Sequence, residues 1–338
     1  MKCAYGIDFG TTNSLLTGLS NEKSFAGGEG KKVFVDKDTD RPHPSVVRYF
    51  DQIRKPEVGI KAKGQLYKSG EPGEGSFFKS IKRELGKNKE QTLNDGRKLK
   101  SADIASEIFQ HLKNEISKEG EGFQNEYPLN SAVVTIPVDF DGRGREEIAE
   151  AMRKAGIKPK AFVHEPFAAL IGQFYDSEKK LSQLAGKRIL VFDWGGGTLD
   201  LCLTEISKDG TKIYELGNDG ISDRAGDDFD LRILRGVKAE FGDQHNLPND
   251  FEIDPKKDQR FIEACEKTKI ELSGKNSSDI IVPNLYEDLN LGVTLNREKF
   301  EELIEDELKA AENCVLRLLK KTRTEPNQVD YVILAGGT

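Results

Sequence analysis

The sequence predicts an α/β protein built from two related lobes, each carrying a smaller inserted subdomain. Two stretches support this prediction: "YGIDFGTTNSLL" at 5–16 and "ILVFDWGGGTLDLCL" at 189–203 each place an aspartate, Asp8 or Asp193, before a glycine-rich turn. Apolar and polar residues alternate directly after each turn, which is the period of a half-buried strand and not of a helix. Two copies so far apart exclude a solenoid repeat and favour duplicated domains that face each other.

The other predicted elements follow this duplication along the chain. In the first lobe, "SAVVTIP" at 131–137 predicts a buried strand and "GREEIAEAMRKAG" at 144–156 predicts a helix that ends at glycine. In the second lobe, "DQRFIEACEKTKIELSG" at 258–274 predicts a long helix, and "VDYVILAGGT" at 329–338 predicts a strand that ends in a glycine turn. The predicted boundaries are 1–182 for the first lobe, about 35–111 for its subdomain, 183–338 for the second lobe and about 227–297 for its subdomain.

The composition is that of a soluble globular protein. Of the 338 residues, 36% are hydrophobic and 32% are charged. The net charge of -7 argues against nucleic acid as a partner, because surfaces that bind nucleic acid are normally basic. No apolar run approaches the ~20 residues of a membrane helix, and the N-terminus enters a strand pattern at once. We therefore expect a cytoplasmic protein without membrane contact.

The cysteines and histidines are dispersed along the chain. The cysteines form no CxxC pair, which predicts reduced core thiols. The histidines have no metal-ligand spacing, which argues against a histidine-bound metal. These residues are Cys3, Cys202, Cys265, Cys314, His43, His111, His164 and His245.

The two glycine-rich turns have the chemistry of a polyphosphate site. Backbone N–H groups of a glycine turn approach phosphate closely because no Cβ intervenes, and threonine hydroxyls add donors. A carboxylate beside phosphate is repelled unless a cation or a water lies between them, so Asp8 and Asp193 predict Mg²⁺ held largely through waters. Alternation places Asp200 on the same face as Thr198, where it can orient a water molecule. The alternative is a pair of ordinary hairpins, which two copies and a third Gly-Gly strand end disfavour.

Eight short segments, spread over nearly the whole chain, have the composition and order of one family. They are "GIDFGTTNS", "FFKSIKRELG", "TIPVDF", "HEPFAALI", "FDWGGGTLD", "AGDDFD", "CEKTKIELS" and "ILAGGT". With these segments the chain resembles the nucleotide-binding domain of the seventy-kilodalton heat-shock chaperones, the DnaK-like family of the actin and sugar-kinase ATPase superfamily. The resemblance implies a two-lobed actin-like ATPase fold made of duplicated ribonuclease H-like domains.

The resemblance also implies which residues contact ATP or ADP. Both glycine turns would bind phosphate, and one face of the helix in "CEKTKIELS" would form the adenosine wall. Glu266, Lys269, Ile270 and Ser273 have the spacing of one helical face, for which a surface Glu–Lys pair is the alternative explanation. The implied nucleotide residues are Gly10, Thr11, Thr12, Asn13, Gly195, Gly196, Gly197, Thr198, Gly226, Asp227, Glu266, Lys269, Ile270, Ser273, Gly336 and Gly337.

A catalytic set follows from the same resemblance. Lys82 would stand beside the γ-phosphate and its attacking water, and Glu165 would support the water shell of Mg²⁺, with K⁺ as a second candidate cation. From the residues alone, Phe78, Ile81 and Leu85 predict a helical core stripe, beside which Lys82 would be a solvated lysine and Glu165 an acid at a helix start. The implied catalytic residues are Asp8, Lys82, Glu165, Asp193, Thr198 and Asp200, and the implied metal-binding residues are Asp8, Glu165 and Asp193.

Pro137 and Arg145 resemble the positions with which the family relays the nucleotide state to an attached substrate domain. Without the resemblance they would be a strand terminator and an exposed cation. The chain departs from the family pattern at two places. Ala225 precedes Gly226 where a glycine pair is usual, which adds a Cβ near the β-phosphate, and "RGRE" replaces the usual Gln-Arg pair while keeping Arg145.

The implied function is that of the ATPase domain of a divergent chaperone, which binds ATP and hydrolyses it slowly as a monomer. The implied partners are a J-domain co-chaperone, a nucleotide-exchange factor and unfolded peptide. The chain stops inside the third glycine turn, so we expect a shortened form with weak hydrolysis, whose peptide-binding domain lies outside it. The alternative is an actin-like polymerising ATPase. A sugar kinase is disfavoured because no polar sugar-binding segment is evident.

Overall fold

The computed structural model describes residues 2–22, 25, 30–51, 54–69, 73–176, 181–248, 250–253 and 255–338. The strands are β1 Ala4–Phe9, β2 Asn13–Leu19, β3 Lys31–Phe34, β4 His43–Pro44, β5 Val47–Tyr49, β6 Glu57–Val58, β7 Ser76–Phe78, β8 Glu90–Thr92, β9 Lys98–Lys100, β10 Ser131–Ile136, β11 Lys158–His164, β12 Arg188–Trp194, β13 Thr198–Ile206, β14 Ile213–Ser222, β15 Ser277–Tyr286, β16 Leu289–Asn296 and β17 Tyr331–Ala335. The α-helices are α1 Ile60–Lys63, α2 Ser101–Ser117, α3 Glu121–Glu126, α4 Gly142–Lys154, α5 Glu165–Asp176, α6 Gly226–Gln244, α7 Pro255–Leu272, α8 Arg297–Leu303 and α9 Glu305–Lys321. Short 3₁₀ turns cover Leu66–Lys68, Ile81–Glu84, Leu181–Leu184 and Pro326–Gln328.

The first sheet is built around the hairpin of β1 and β2. Its strand order is β11–β10–β1–β2–β3, with β4 beside β2. The hairpin is antiparallel, whereas β10 runs parallel to β1 with Gly6 opposite Val133. Helix α2 packs on this sheet and α4 packs on α2, so their apolar faces close one core with Phe9, Ile108 and Phe109 at its centre. This core holds the turn between β1 and β2 in place.

The second sheet repeats this arrangement. Its strand order is β14–β13–β12–β17, in which β12 and β13 form an antiparallel hairpin and β17 runs parallel to β12. In each sheet, therefore, an aspartate-bearing strand has an antiparallel partner on one side and a parallel partner on the other. The mixed α/β class is confirmed, and the division into two lobes stays a prediction. Residues 177–180, just before the predicted boundary at 182, lie outside the described residues.

Smaller elements surround the two main sheets. Strands β5, β6 and β7 form one small sheet, and β8 and β9 form another. Strands β15 and β16 pair with each other, and α7 packs on β15 and on α6. Helix α5 contacts β10 and β11 of the first sheet and β12, β13 and β17 of the second. The first residue of α5 therefore lies where the two sheets approach each other.

The helical stripe predicted for Phe78, Ile81 and Leu85 is wrong. Phe78 ends strand β7, where it pairs with Val47, and Ser80 has a left-handed backbone with φ 55°, so the chain makes only one 3₁₀ turn. All three apolar side chains nevertheless pack against the first core, which explains their apolar spacing.

All four cysteines are buried, which agrees with the predicted place of their thiols in the core. None of the described helices combines the length and the apolar composition that crossing a bilayer demands.

Phe109→Ala is expected to lower the free energy of unfolding by about 3 to 5 kcal/mol, because it leaves a cavity beside Phe9 in the fully buried first core. Urea denaturation followed by circular dichroism measures this loss. Ser117→Ala, at the exposed end of the same helix, is the control and should change the free energy by less than about 0.5 kcal/mol. If Phe109→Ala lowers the free energy of unfolding by less than about 1 kcal/mol, the Phe109 ring is not central to the first core.

Candidate functional site

The turns of the two hairpins border one cavity of about 510 Å³. The turn between β1 and β2 and the turn between β12 and β13 both line it, together with the first residue of α5, one face of α7 and the turn after β17. The structure therefore brings together segments that are far apart in sequence. The sequence-predicted residues that line this cavity are Asp8, Gly10, Thr11, Thr12, Asn13, Lys82, Glu165, Asp193, Gly195, Gly196, Gly197, Thr198, Gly226, Asp227, Glu266, Lys269, Ile270, Gly336 and Gly337.

The first turn has its carbonyl groups bonded within the protein. The Gly10 and Thr12 carbonyl oxygens accept from the hydroxyl and the backbone N–H of Ser45, each at 2.8 Å. Within the described residues, the backbone N–H groups of Thr11 and Thr12 have no acceptor, and the buried Thr12 hydroxyl has no partner. A Cβ at Gly10 would overlap the Asn13 carbonyl oxygen, so only glycine fits this turn.

In the second turn, as in the first, the carbonyl groups accept hydrogen bonds from the protein while backbone N–H groups are left without an acceptor. The Gly195 carbonyl accepts from Gly226 N–H at 3.1 Å, and the Gly196 carbonyl accepts from Asp227 N–H at 2.8 Å. The N–H groups of Gly196 and Gly197 have no acceptor in the part of the chain that the structure describes. Since buried donors are normally paired, two turns that border one cavity with unpaired donors fit the oxygens of a polyphosphate.

A buried ion pair of Lys82 and Glu165 lies at the floor of the cavity. Lys82 is only 3% exposed and donates to the Glu165 carboxylate, so the solvated lysine considered above is wrong. Burial by itself would lower the pKa of Lys82, but the carboxylates of Glu165, Asp8 and Asp200 outweigh burial and raise it. Burial, with Asp200 and Asp8, raises the pKa of Glu165 against the opposing effect of Lys82. Lys82 is thus a fixed ammonium group among several acids.

The acids around Lys82 outnumber this one ammonium group. Asp193 lies directly opposite Asp200 across the second hairpin, where like charges destabilise a sheet. Burial, followed by Asp200 and Asp8, raises the pKa of Asp193 to about 6. Burial also raises the pKa of Asp200. Carboxylate oxygens are the ligands that Mg²⁺ prefers, so the donor set of Asp8, Asp193 and Glu165 fits this ion.

Helix α7 forms the opposite wall of the cavity. Lys269 donates to the Gly226 carbonyl at 2.7 Å and pairs with Asp230 at 2.7 Å, which fixes the helix beside the second turn. Ile270 lines the same cavity and is 59% exposed, which is unusual for a large apolar side chain. Gly336 and Gly337 border the cavity from the end of β17.

Five residues singled out in the sequence do not line this cavity. Ser273 lies past the end of α7 at Leu272 and is exposed, so the helical spacing that predicted it does not extend that far. Asp200 is buried behind the cavity wall, and the Cβ of Ala225 packs into the core under the second sheet. Pro137 borders a neighbouring cavity of about 240 Å³, and Arg145 borders a separate hollow.

Four polar residues that the sequence analysis missed support the site. Thr135 donates to the Asp8 carboxylate at 2.7 Å, and Ser80 donates to Asp227 at 2.7 Å. Arg83 donates to the Gly197 carbonyl at 3.0 Å, which joins its 3₁₀ turn to the second hairpin. Asp230 is the partner of Lys269 described above. Each of these four residues lies inside or beside a segment that carries the family resemblance. The residue type and the spacing in the sequence do not by themselves indicate a role for any of them.

The fold and the cavity define an α/β protein in which two glycine turns border one cavity. A family model described as "Hsp70 protein" matches residues 78–338, and this chain belongs to the Hsp70 family. Chaperone protein DnaK of Mycoplasmoides gallisepticum is 32% identical over 341 residues, which cover 98% of this chain and 53% of the relative. Chaperone protein DnaK of Thermosipho africanus is 32% identical over 336 residues, which cover 98% of this chain and 52% of the relative.

The chain thus spans about half the length of the curated relatives it matches. Both of these relatives are named as chaperones, and the matched family is the same, so the alternative of an actin-like polymerising ATPase is not favoured.

Gly197→Ala is expected to lower the free energy of unfolding by about 1 to 3 kcal/mol in the absence of nucleotide. The added Cβ would lie 2.6 Å from Thr11 Cγ2 and 2.7 Å from Thr11 Cβ, so rotation of the threonine side chain cannot relieve the overlap. Gly195→Ala is the matched control, since its Cβ would meet nothing nearer than the Thr198 carbonyl oxygen at 3.8 Å. Urea denaturation compares the two variants, and equal losses would contradict the close contact between the turns.

Proposed function

We propose that this chain binds ATP between its two glycine turns and hydrolyses it slowly to ADP and phosphate, as the nucleotide-binding domain of a chaperone. The observation that carries the proposal is the set of unpaired backbone donors that both turns contribute to one cavity. In this proposal the two sheets belong to two lobes, 1–182 and 183–338, with subdomains inserted at about 35–111 and 227–297. The shared hairpin topology of the two sheets supports this division.

The phosphates would lie against both turns, and the adenosine would lie against α7. Ile270 is the apolar surface for the base, because its side chain borders the cavity and is 59% exposed. Glu266 and Lys269 would lie near the ribose, one helical turn away. Gly336 and Gly337 would border the base from the other side, where side chains would narrow the cleft.

In the hydrolysis step a water molecule attacks the γ-phosphorus in line with the bond to the β–γ bridging oxygen. That bond breaks, and its electron pair stays on the bridging oxygen of the departing ADP. The Lys82 ammonium group offsets the negative charge that develops on the γ-phosphate oxygens. Its ion pair with Glu165 fixes the ammonium group before the substrate arrives. Thr198 lines the cavity and would orient the water. Asp200, which is buried behind the cavity wall and hydrogen-bonded to Thr198, would take up the proton of the water through the Thr198 hydroxyl.

Asp8, Asp193 and Glu165 would hold Mg²⁺, largely through water molecules. The ion would supply positive charge that screens the phosphates from these acids. K⁺ is a second cation that the surplus of carboxylates would accommodate. The carboxyl groups of this set are therefore placed to position cations and water and not to bind phosphate directly.

We propose the chaperone partners at the level of the whole protein. A J-domain co-chaperone would stimulate hydrolysis, and a nucleotide-exchange factor would release ADP. Unfolded peptide would bind a domain outside this chain. The chain itself would be a monomer that hydrolyses ATP weakly. Pro137 supports a relay of the nucleotide state, because the cavity that it borders also contains Lys82, Thr11 and Thr198. Arg145 would continue the relay from the hollow that it borders together with Glu215 of β14.

Lys82→Ala is expected to reduce the single-turnover rate of ATP hydrolysis at least about a hundredfold while ADP affinity changes less than about threefold. The reason is that the ammonium group acts on charge that develops only in the transition state. Lys79→Ala removes an exposed lysine three residues earlier and should leave both quantities unchanged. Calorimetry gives the affinity and rapid quench gives the rate. A rate equal to that of the unsubstituted chain would refute the proposed role of Lys82.

Ile270→Ala is expected to weaken ADP binding about threefold to tenfold, because the base would lose an apolar surface. The fold should not suffer, since this side chain is already 59% exposed. Ile281→Ala removes a side chain that is 65% exposed on β15 and serves as the matched control. Calorimetric titration with ADP distinguishes the two variants, and indistinguishable affinities would place the base elsewhere.

A further inference from the structure

Two histidines and a glutamate meet in a cluster that the nucleotide site does not use. His43 Nδ1 lies 3.1 Å from His111 Nε2, and His111 Nε2 lies 3.8 Å from Glu115 Oε1. All three ligand atoms lie within 4.8 Å of one another. We propose that His43, His111 and Glu115 form a Zn²⁺ site. The spacing of the histidines in the sequence argued against a histidine-bound metal and gave no indication of this cluster.

The hydrogen bonds of His43 fix the tautomer of its ring. His43 is completely buried, and its Nε2 lies 3.1 Å from the Phe34 carbonyl oxygen. A carbonyl oxygen only accepts, so His43 Nε2 carries the proton and Nδ1 accepts a hydrogen bond from His111 Nε2. When the ion binds, the His111 proton moves to its Nδ1, and His43 Nδ1 and His111 Nε2 both turn a lone pair to the metal. Histidines that bind metals commonly donate their other ring N–H to a backbone carbonyl in this way, which fixes the ring and its tautomer.

His111 and Glu115 belong to the same helix, α2, and lie four residues apart, so their side chains project from the same face. Glu115, one helical turn further along α2, supplies the negative charge of the set and is 2% exposed.

The spacing and chemistry of the three groups favour zinc. Ligand atoms at about 2.0 to 2.2 Å from a tetrahedral Zn²⁺ lie about 3.3 to 3.5 Å apart, close to the two separations given above. Two imidazoles with one carboxylate suit Zn²⁺ better than Mg²⁺, which prefers oxygen ligands. Three protein ligands leave the fourth position for water, and the side chain of His111 is 18% exposed, which gives access.

The surroundings leave room for the ion. A Cβ at Gly59 would lie 3.0 Å from His111 Nε2, so glycine keeps the space beside this ligand atom open. Lys118 pairs with Glu115 Oε1 at 2.6 Å, but its side chain is 48% exposed and can turn into solvent when the metal binds. Pro44, next to His43, pairs with Asn13 of the first turn, so the ion would brace β4 against α2 behind that turn.

The test is titration of the metal-free chain with ZnCl₂ in the presence of excess Mg²⁺ and ADP, which occupy the carboxylates of the cleft. We expect one equivalent of Zn²⁺ to bind and to raise the unfolding temperature. CoCl₂ in place of zinc should give the intense visible absorption of a tetrahedral site. Glu115→Gln and His111→Gln should each weaken Zn²⁺ binding at least tenfold and abolish the cobalt spectrum and the rise in unfolding temperature.

His245→Gln is the matched control, because it removes an exposed histidine at the end of α6, far along the chain from the cluster. It should bind zinc and cobalt as the unsubstituted chain does. If His111→Gln does not fold, Glu115→Gln and the cobalt spectrum of the unsubstituted chain still decide the matter. Absence of stoichiometric zinc binding, or zinc binding that both cluster substitutions leave intact, would overturn the proposal.

Discussion

The rest of the site depends on an imbalance of charge around Lys82. Asp8, Glu165, Asp193 and Asp200 surround a single ammonium group, and they come from β1, α5, β12 and β13. One cation cannot neutralise four acids in a buried place, which is why burial and mutual repulsion raise the pKa of Asp193 to about 6. In its charged form such a cluster is stabilised by further cations, which supports the Mg²⁺ proposed for this cleft.

The backbone of the two turns supplies hydrogen-bond donors to a cleft that is otherwise lined with acids. Phosphate needs donors, and a cleft lined with acids repels it. In both turns the carbonyl oxygens accept from the protein, at Ser45 for the first turn and at Gly226 and Asp227 for the second. The donors that are left belong to the edge of the cavity. The acids thus lie on the strands and the unpaired donors lie in the turns, and this separation supports the proposed places of Mg²⁺ and phosphate.

The sequence indicated most of the residues that line this cavity but not the residues that hydrogen-bond to them. Glycine turns, an aspartate before each turn and helical spacing are local patterns, and the residues predicted from them line one cavity. Ser273 lies one residue past the end of α7 and does not line the cavity, because helical spacing says nothing about where a helix ends. Thr135 and Arg83 were missed because a hydrogen bond between distant segments leaves no trace in the spacing of either one. Lys82 needed the family resemblance, since its burial comes from neighbours far along the chain.

By itself, the sequence determined the α/β class, the two hairpins and the membership of a family. These properties depend on short-range periodicity, on glycine at turns and on segments that keep their order. Only the tertiary structure decided which charges meet. His43 and His111 looked unrelated because 68 residues separate them, yet the packing of β4 on α2 brings their ring nitrogens to 3.1 Å. Such distances follow from how sheets and helices pack, which no local pattern specifies.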